Sequence, residues 1–296
     1  MKKVFSNQEI LILSDKEFTR NDGGILIFAD GSYVDIYSRK IVNKGSGKII
    51  IKDLPLWPSM ADIIRNQQTY KEIRHLIVHG GMNNIVIVPN DSDDCIVSLG
   101  GSEDFVNNSF IEQHEDHLYI ETPRSNSNVH INVSSIWVNG RRVPPKLDND
   151  FGYIEIKAQN LQSLFVTGNG TGEIYSELPL QTLRTEIKGS SSLDLIQVSQ
   201  ADIKITGSGS VSIENLCGNL SGTISGSGNI TILDGNAEEV DVSVSGSGDL
   251  VAGITAKIAR LSLSGSGTII VAHVLDESIE QKTGSGILKI IKKGCI

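Results

Sequence analysis

Two short segments carry the side chains best suited to hold a metal ion. The segment IEQHEDH contains His114 and His117, and the segment PNDSDDC contains Asp91, Asp93 and Asp94. Imidazole and carboxylate groups are ligands of Zn²⁺, and clustered carboxylates suit Ca²⁺. The histidine spacing matches no standard zinc motif, and both segments also fit charged turns between strands. The sequence therefore favours solvated turns between strands, and these five residues are the metal candidates of the alternative interpretation.

The sequence offers no recognisable catalytic set. It has no Gly-x-Ser-x-Gly elbow, and no Ser-His-Asp or Cys-His combination can be nominated. A glycosidase needs two carboxylates at a set separation, which cannot be chosen among so many acidic residues. We therefore expect a noncatalytic protein without a cofactor.

Composition and charge restrict the classes of partner. The chain has 296 residues, of which 39% are hydrophobic and 21% charged, as in an ordinary globular protein. Its formal net charge of -9 provides no basic field for a phosphate backbone. No stretch approaches the ~18 apolar residues of a membrane span. We expect neither a nucleic-acid partner nor membrane insertion, and a protein or cell-surface ligand remains open.

The first residues and the cysteines bear on location. After MKK, the run VFSNQEILILS is interrupted by polar residues before it reaches the length of a classical signal peptide. The three cysteines, Cys95, Cys217 and Cys295, are far apart and odd in number, so we expect reduced thiols. These features predict either a cytoplasmic protein or export by a non-Sec route.

The clearest pattern in the chain is a repeated Gly-Ser-Gly motif. The five intact copies are Gly207-Ser208-Gly209, Gly226-Ser227-Gly228, Gly246-Ser247-Gly248, Gly265-Ser266-Gly267 and Gly284-Ser285-Gly286. Their first glycines recur at nearly constant intervals of roughly 20 residues, at the lower end of the range typical of repeat proteins. Two degenerate copies begin at Gly168 and Gly189 and keep nearly the same interval. Such a period, sustained over seven copies, predicts a repeat architecture.

Apolar residues alternate on both sides of each Gly-Ser-Gly motif. Two positions before the first glycine lie Ile205, Ile224, Val244 and Leu263, and four positions after it lie Val211, Ile230, Leu250 and Ile269. A period of two, rich in Ile and Val, indicates strands with one buried face. One coil then holds two strands, a glycine corner and a looser return. The sequence predicts an all-β parallel β-helix with about 19 residues per coil.

The glycines and serines of the motif are interpreted as structural corner residues. Glycine suits a corner that needs positive φ and close approach of stacked backbones. The serines would lie above one another and form hydrogen bonds between coils. A phosphate-binding loop is the rival interpretation, but no Lys-Ser/Thr follows any copy.

The segments SGSGNITI, SGSGDLVA and SGSGTIIV make the chain from about Tyr70 resemble the auto-transporter adhesin head GIN domain family. The upstream segments IRHLIVHGGMNNIVIV and DHLYIET are similar to the opening coils of that family. The resemblance implies a right-handed parallel β-helix, shaped like pectin lyase-like proteins but without established catalytic residues. It also implies an adhesive role.

Outside the repeat, we assign residues 1–57 to a small N-terminal β unit, 58–72 to a helical linker or cap, and 73–296 to the β-helix. Short apolar strands surround Asp30-Gly31, which predicts a hairpin turn. Ser59 resembles an N-cap ahead of an apolar stripe, which predicts the helix. Extra coils remain the alternative for residues 1–57.

Three functions fit these features. The first is a noncatalytic β-helix for adhesion or protein-surface interaction, the second a polysaccharide-acting enzyme of pectin lyase type, and the third a cytoplasmic or host-delivered scaffold. No aromatic residue follows Tyr175. If the chain binds glycans, the stacking residues should therefore be earlier ones such as Trp57, Trp137, Tyr119 or Tyr153.

Overall fold

The chain divides into two compact units, Met1–Asp62 with Ile131–Lys146, and Ile63–His130 with Leu147–Ile296. The computed structural model describes residues 2–6, 10–22, 25–35, 40–44, 47–53, 64–81, 84–123, 136–138, 141–143 and 152–294. Among these residues, no helix has the length and apolar character needed to cross a membrane.

The first unit is built from short antiparallel strands. They are β1 (Lys2–Ser6), β2 (Ile10–Ser14), β3 (Phe18–Asp22), β4 (Ile25–Phe28), β5 (Tyr33–Asp35), β6 (Lys40–Val42) and β7 (Ile49–Asp53). One sheet has the order β1-β2-β7 and another the order β3-β4-β5-β6. Their shared core consists of Ile12, Leu26, Phe28, Val34 and Ile49.

The predicted hairpin at Asp30-Gly31 is confirmed. Strands β4 and β5 pair antiparallel, and Gly31 has a φ of 76°, which glycine adopts without a steric penalty. The Asp30 carboxylate accepts a hydrogen bond from the Ser32 amide at 2.9 Å. Hydrogen bonds from Lys16 and Ser32 lower the pKa of Asp30 to about 2. The turn is therefore held by its own side chain.

The second unit begins with strands of both orientations and one short helix. These are β8 (Ile64–Lys71), β9 (His75–Gly80), β10 (Asn84–Pro89), β11 (Asp94–Gly101), α1 (Glu103–Asn108), β12 (Phe110–His114) and β13 (His117–Thr122). Two further strands, β14 (Ile136–Val138) and β15 (Arg141–Val143), pair antiparallel and belong to the first unit.

The regular coils follow. Their strands are β16 (Gly152–Ala158), β17 (Ser163–Gly168), β18 (Glu173–Ser176), β19 (Leu180–Ile187), β20 (Ser192–Ile205), β21 (Ser210–Leu216), β22 (Leu220–Gly226), β23 (Asn229–Gly246), β24 (Asp249–Gly265), β25 (Thr268–Thr283) and β26 (Ile287–Lys293).

Two parallel ladders wind into a solenoid. Ladder A has the order β13, β9, β17, β19, β20, β22, β23, β24, β25. Ladder B has the order β16, β10, β18, β20, β21, β23, β24, β25, β26. The long strands β20, β23, β24 and β25 bend and take part in both. The predicted parallel β-helix with coils of about 19 residues is confirmed.

The inward columns are those expected from the sequence. Ile205, Ile224, Val244 and Leu263 stack in ladder A, and Val211, Ile230, Leu250 and Ile269 stack in ladder B. All eight side chains are buried in one continuous apolar core. Burial of Ile, Leu and Val contributes roughly 1.5–3 kcal/mol per side chain. The columns are therefore the main source of stability in this unit.

The intact Gly-Ser-Gly motifs lie where ladder A turns into ladder B. The amide of Ser247 donates to the carbonyl oxygen of Gly226 in the previous coil at 2.9 Å, and Ser266 does the same to Gly246. The hydroxyl oxygens of Ser266 and Ser285 lie 3.2 Å apart. Corners of successive coils are thus joined through the backbone, with a hydroxyl contact at the last pair.

The first degenerate corner begins at Gly170, two residues later than the start at Gly168 that the repeat pattern predicts. Gly168 pairs with Ile187 inside the β17–β19 ladder, whereas the Ser190 amide donates to the carbonyl oxygen of Gly170 at 3.1 Å. Gly170 therefore precedes Gly189 in the corner column, and the spacing of the corners becomes as regular there as in the later coils. A shift of two residues keeps every side chain on the same face, so the apolar pattern could not reveal the error.

The structure differs from the helix expected over residues 58–72. Residues 54–63 lie outside the described residues, but Ile64–Lys71 forms β8, which pairs antiparallel with β11. Tyr70 in this strand packs against the solenoid core. Ladder hydrogen bonds and this contact outweigh the local helical pattern.

A different segment, α1, provides a helix near the end of the solenoid where ladder B begins with β16. The Ser102 hydroxyl caps α1 by accepting a hydrogen bond from the Phe105 amide at 3.1 Å. Phe105 is 3% exposed and belongs to the solenoid core. A Cβ atom at Gly152 would overlap its ring, so the phenyl group lies directly on the β16 backbone. The buried ring thus fixes α1 to the outer coil.

Coil order along the axis differs from the order along the chain. Strand β9 lies between β13 and β17 in ladder A, and β10 lies between β16 and β18 in ladder B. Strands β9 and β10 form the first coil in chain order. The chain next places β13 and β16 on one side of that coil and then adds β17, β18 and all later strands on its other side. Antiparallel strands β12 and β11 then extend the ladders at this end.

The two described cysteines should differ sharply in reactivity. Cys95 is buried, which raises the pKa of its thiol to about 12, whereas Cys217 is exposed. Because the thiolate is the reactive form, we expect Ellman's reagent at about pH 8 to label Cys217 in the folded protein and Cys95 after denaturation. In a Cys295→Ser variant, the labelled thiols should rise from one to two when urea is added. Rapid labelling of both without urea would contradict the burial of Cys95.

Candidate functional site

The outward side of ladder A carries three columns of side chains, here named the ladder face. The first column contains His117, His75, Ser163, Thr182 and Gln200. The second contains Tyr119, Ile77, Phe165, Arg184, Asp202, Ser221, Asp241 and Arg260. The third contains Glu121, His79, Thr167, Glu186, Lys204, Thr223, Ser243 and Ser262. Strict alternation with the buried columns keeps all of them on one surface.

Rings concentrate on the coils formed by β13, β9 and β17. The rings of His117 and Tyr119 stack with centroids 6.4 Å apart, and His79 meets Phe165 edge to face at 5.8 Å. The Arg184 guanidinium carbon lies 5.6 Å from the centroid of the Phe165 ring, within cation–π range. We name these five residues the aromatic patch. The four rings are half-buried and Arg184 is exposed, so each of the five side chains offers part of its surface to solvent.

At one edge of the patch, His117 and a second histidine, His75, converge on one carboxylate. His75 Nε2 lies 3.6 Å from Asp116 Oδ2, and His117 Nδ1 lies 2.8 Å from Asp116 Oδ1. The imidazole centroids are 4.5 Å apart. We name these three residues the histidine–aspartate cluster. Partial burial raises the pKa of Asp116, but the hydrogen bond from His117 and the charges of both histidines outweigh it and lower the pKa overall.

The turn that carries Asp116 is held by backbone and side-chain contacts. The amides of Arg74 and His75 donate to the Asp116 carbonyl oxygen at 2.9 and 3.1 Å. The Gln113 side-chain amide donates to the carbonyl oxygens of Lys71 and Glu115. Glu115 has a φ of 54°, a left-handed conformation that costs a non-glycine residue on the order of 1 kcal/mol. The surroundings therefore fix the position of the carboxylate.

The acidic candidates of PNDSDDC lie apart from this cluster: Asp91 and Asp93 are in the turn between β10 and β11, and Asp94 is the first residue of β11. Asp91 and Asp93 are exposed, and Asp93 Oδ1 is 3.3 Å from the Asn160 amide nitrogen. Asp94 forms an ion pair with Lys71 at 2.9 Å. The turn is closed by hydrogen bonds of Asn90 to Ser92 and to the Asp94 carbonyl.

The two histidine candidates separate. His114 is exposed and pairs with Glu112 at 3.1 Å, whereas His117 joins the histidine–aspartate cluster. Sequence reasoning missed His75 and Asp116 as members of one site. A signal existed, because His75 opens HLIV and His117 opens HLYI, so matching the two strands places the histidines side by side.

The aromatic candidates also separate. Tyr119 lies in the aromatic patch, but Tyr153 is 2% exposed, and its burial raises the pKa of its hydroxyl. Trp137 belongs to β14 in the first unit, and Trp57 lies outside the described residues. Among the four, Tyr119 is therefore the one that the described ladder face presents to solvent.

Farther along the ladder face, charged and small polar side chains replace the rings. Glu186 accepts a hydrogen bond from Lys204 at 3.0 Å and lies 3.5 Å from Lys188. The hydrogen bond from Lys204 and the charges of both lysines lower the pKa of Glu186 despite partial burial. Arg184 and Asp202 form a longer pair at 3.7 Å. Beyond them, the third column holds Thr223, Ser243 and Ser262, and the second holds Ser221, Asp241, Arg260 and, in β25, Ile279.

Comparison with known proteins agrees with this architecture. The family model described as "Putative auto-transporter adhesin, head GIN domain" matches residues 70–274, which is more than half of the chain. No curated protein is significantly similar in sequence.

Two crystal structures share the fold at low sequence identity. A putative adhesin from Parabacteroides distasonis is 16% identical with a TM-score of 0.51, and a putative adhesin from Bacteroides fragilis is 15% identical with a TM-score of 0.50. Each comparison covers 77% of this chain and 96% of the other. With the family model spanning most of the solenoid, the chain belongs to the auto-transporter adhesin head GIN domain family.

Proposed function

We propose that the protein is a noncatalytic binding protein whose ladder face contacts another protein or a cell surface. The observation that carries this proposal is the arrangement of three straight columns with the aromatic patch at one end. Strands of a sheet lie ~4.8 Å apart and rise ~3.3 Å per residue. Nine strands therefore give a face roughly 40 Å long and about 17 Å wide. Its area, on the order of 650 Å², approaches the ~800 Å² that each partner buries in a typical stable interface.

The composition of the ladder face suits an interface with one anchor and a polar surround. Tyr, Phe and Arg are enriched at the centres of interfaces, where a few such residues carry most of the binding energy. Tyr119, Phe165 and Arg184 supply these three types within neighbouring coils. Thr223, Ser243 and Ser262 of the third column add hydrogen-bonding groups at regular spacing. A partner would therefore bind over the aromatic patch and extend along the columns.

The names of the family and of the neighbouring structures support an adhesive role. The enzyme alternative depends on fold analogy with pectin lyases, and fold does not determine activity. The scaffold alternative depends on the cysteines and the first residues of the chain. No contact among the described residues favours either alternative over binding.

Adhesion can be measured with beads that carry the purified protein. We expect the beads to be retained under flow on at least one of three coated surfaces: mucin, collagen or fibronectin. The double variant Tyr119→Ser/Phe165→Ser should reduce retention at least about tenfold, because it removes two anchors worth roughly 1–2 kcal/mol or more each.

Incubation of the protein with polygalacturonate and Ca²⁺ tests the lyase alternative in parallel, and the formation of unsaturated products would favour that alternative.

A matched control changes two residues of the same ladder face and leaves the aromatic patch intact. The double variant Thr223→Ala/Asp241→Ser changes exposed residues of the second and third columns several coils away. Its retention should stay within twofold of the unmodified protein. Equal retention for the patch variant and the control, or no retention on any surface, would refute the proposed role of the aromatic patch.

A further inference from the structure

The geometry points to a binding site for a divalent transition-metal ion, formed by His75 Nε2, an Asp116 carboxylate oxygen and a ring nitrogen of His117. Each residue offers one ligand atom, and these atoms lie within 4.8 Å of one another. The inference concerns metal binding by the isolated protein and does not depend on the adhesive role proposed above.

The spacing of the donor atoms is close to that of a tetrahedral site. Ligand atoms about 2.0–2.1 Å from Zn²⁺ in tetrahedral geometry lie roughly 3.3 Å from one another. The separations from the Asp116 carboxylate are 3.6 Å from Oδ2 to His75 Nε2 and 2.8 Å from Oδ1 to His117 Nδ1. The three donor atoms lie within 4.8 Å of one another, so side-chain rotations on the order of 1 Å would bring them around one ion.

The surroundings orient the first histidine for this task. His75 Nδ1 lies 2.7 Å from Ser163 Oγ, its neighbour in the first column of the ladder face. When Nδ1 carries the proton and donates it to Ser163, Nε2 presents its lone pair toward Asp116. A lone pair that faces a carboxylate is repulsive until a cation lies between them. Metal-binding histidines commonly show this pattern of one nitrogen on the ion and the other hydrogen-bonded.

The backbone of the turn that carries the Asp116 carboxylate is also held in place. The hydrogen bonds from Arg74 and His75 to the Asp116 carbonyl fix the turn, and Gln113 links the turn to the end of β8. Because β13 and β9 are adjacent in ladder A, the two histidine backbones are locked in register. The three donors are thus positioned before an ion binds, which lowers the entropic cost of binding.

The ligand set selects the class of ion. Two imidazoles and one carboxylate suit Zn²⁺, Co²⁺, Ni²⁺ or Cu²⁺, whereas Ca²⁺ and Mg²⁺ prefer oxygen ligands alone. The side chains of His75, Asp116 and His117 are 28%, 33% and 38% exposed. Solvent can therefore supply the remaining ligands, as in zinc sites that keep an open position.

The test is titration of the purified, untagged protein with Zn²⁺ by calorimetry and with Co²⁺ by visible absorption. We expect one Zn²⁺ per chain and a Co²⁺ spectrum with the intense bands of tetrahedral coordination. The variants His75→Gln, Asp116→Asn and His117→Gln should each weaken Zn²⁺ binding at least about tenfold and abolish the Co²⁺ bands. Ca²⁺ should produce no comparable heat.

Two histidine variants serve as matched controls. His114→Gln changes the residue that pairs with His117 across the hairpin, and His79→Gln changes a histidine on the same strand as His75. Neither residue belongs to the cluster, so both variants should bind Zn²⁺ within twofold of the unmodified protein. Circular dichroism checks that each variant is folded, and Asp116→Asn keeps the shape of its side chain. Absence of saturable Zn²⁺ binding, or equal binding in cluster and control variants, would overturn the inference.

Discussion

Replacing Gly265 with alanine is expected to lower the free energy of unfolding by about 3–5 kcal/mol, which is a large fraction of the stability of a typical domain. Gly265 has a φ of 130°, a region that alanine avoids. A Cβ atom there would lie 2.3 Å from the carbonyl oxygen of Gly246 in the previous coil. Because that oxygen belongs to the backbone, the clash can be relieved only by separating the two coils. Urea unfolding followed by circular dichroism measures the loss.

The serine of the same corner provides the control. Ser266 is exposed, and its hydroxyl contacts Ser285, so Ser266→Ala should cost less than about 1 kcal/mol. The backbone bond from the Ser266 amide to Gly246 is unchanged in this variant. Hydrogen exchange should increase in the coils beside Gly265→Ala and remain unchanged in Ser266→Ala. A corner that tolerates alanine at a cost below about 1 kcal/mol would show that the glycines are not required by close backbone stacking.

The C-terminal coils could be predicted because each carries its own evidence. Ile224, Val244 and Leu263 repeat at intervals that match the register of the ladders, so periodicity alone places them in one column. Solenoid coils contact their nearest neighbours, which makes local sequence informative about global structure. The shifted corner at Gly168 shows the limit, because a slip of two residues leaves the alternation intact.

The opening coils could not be derived in this way. Strands β13 and β16 follow β9 and β10 in the chain but lie on their outer side, so chain order does not give spatial order. The segment Ile64–Lys71 has a helical pattern, and its pairing with β11 makes it a strand. Both features depend on contacts between distant residues, which local propensity does not contain.

Contacts between distant residues also explain why the sequence indicates only part of the histidine–aspartate cluster. His117 was identified from its own segment, but its partner His75 lies much earlier in the chain and meets it through the β9–β13 register. Asp116 is one of several acidic residues in the same segment, and the backbone contacts that select it come from Arg74 and His75. A site made by coil stacking becomes visible once the strands are aligned, as with HLIV and HLYI.

The inward columns lead to the second large expected effect, which is the cost of truncating Leu250. This side chain is fully buried in β24, and we expect Leu250→Ala to lower the free energy of unfolding by about 3–5 kcal/mol. The cost should fall in the upper part of the usual range because Gly222 lies across the core. A Cβ atom on Gly222 would be 3.8 Å from Leu250 Cδ1, an ordinary van der Waals contact, so Gly222 faces the leucine without a side chain of its own. With no side chain at Gly222 to move in, the cavity would persist.

The adjacent residue tests whether alternation, rather than strand identity, sets this cost. Val251 follows Leu250 in the same strand but points outward and is 42% exposed. Val251→Ala should cost less than about 1 kcal/mol in the same urea experiment, because it removes little buried surface and leaves the ladder hydrogen bonds intact. Similar losses for the two variants would mean that β24 is buried on both faces. That result would contradict the outward orientation of Val251 on ladder B, where it pairs with Thr231 and Ile270.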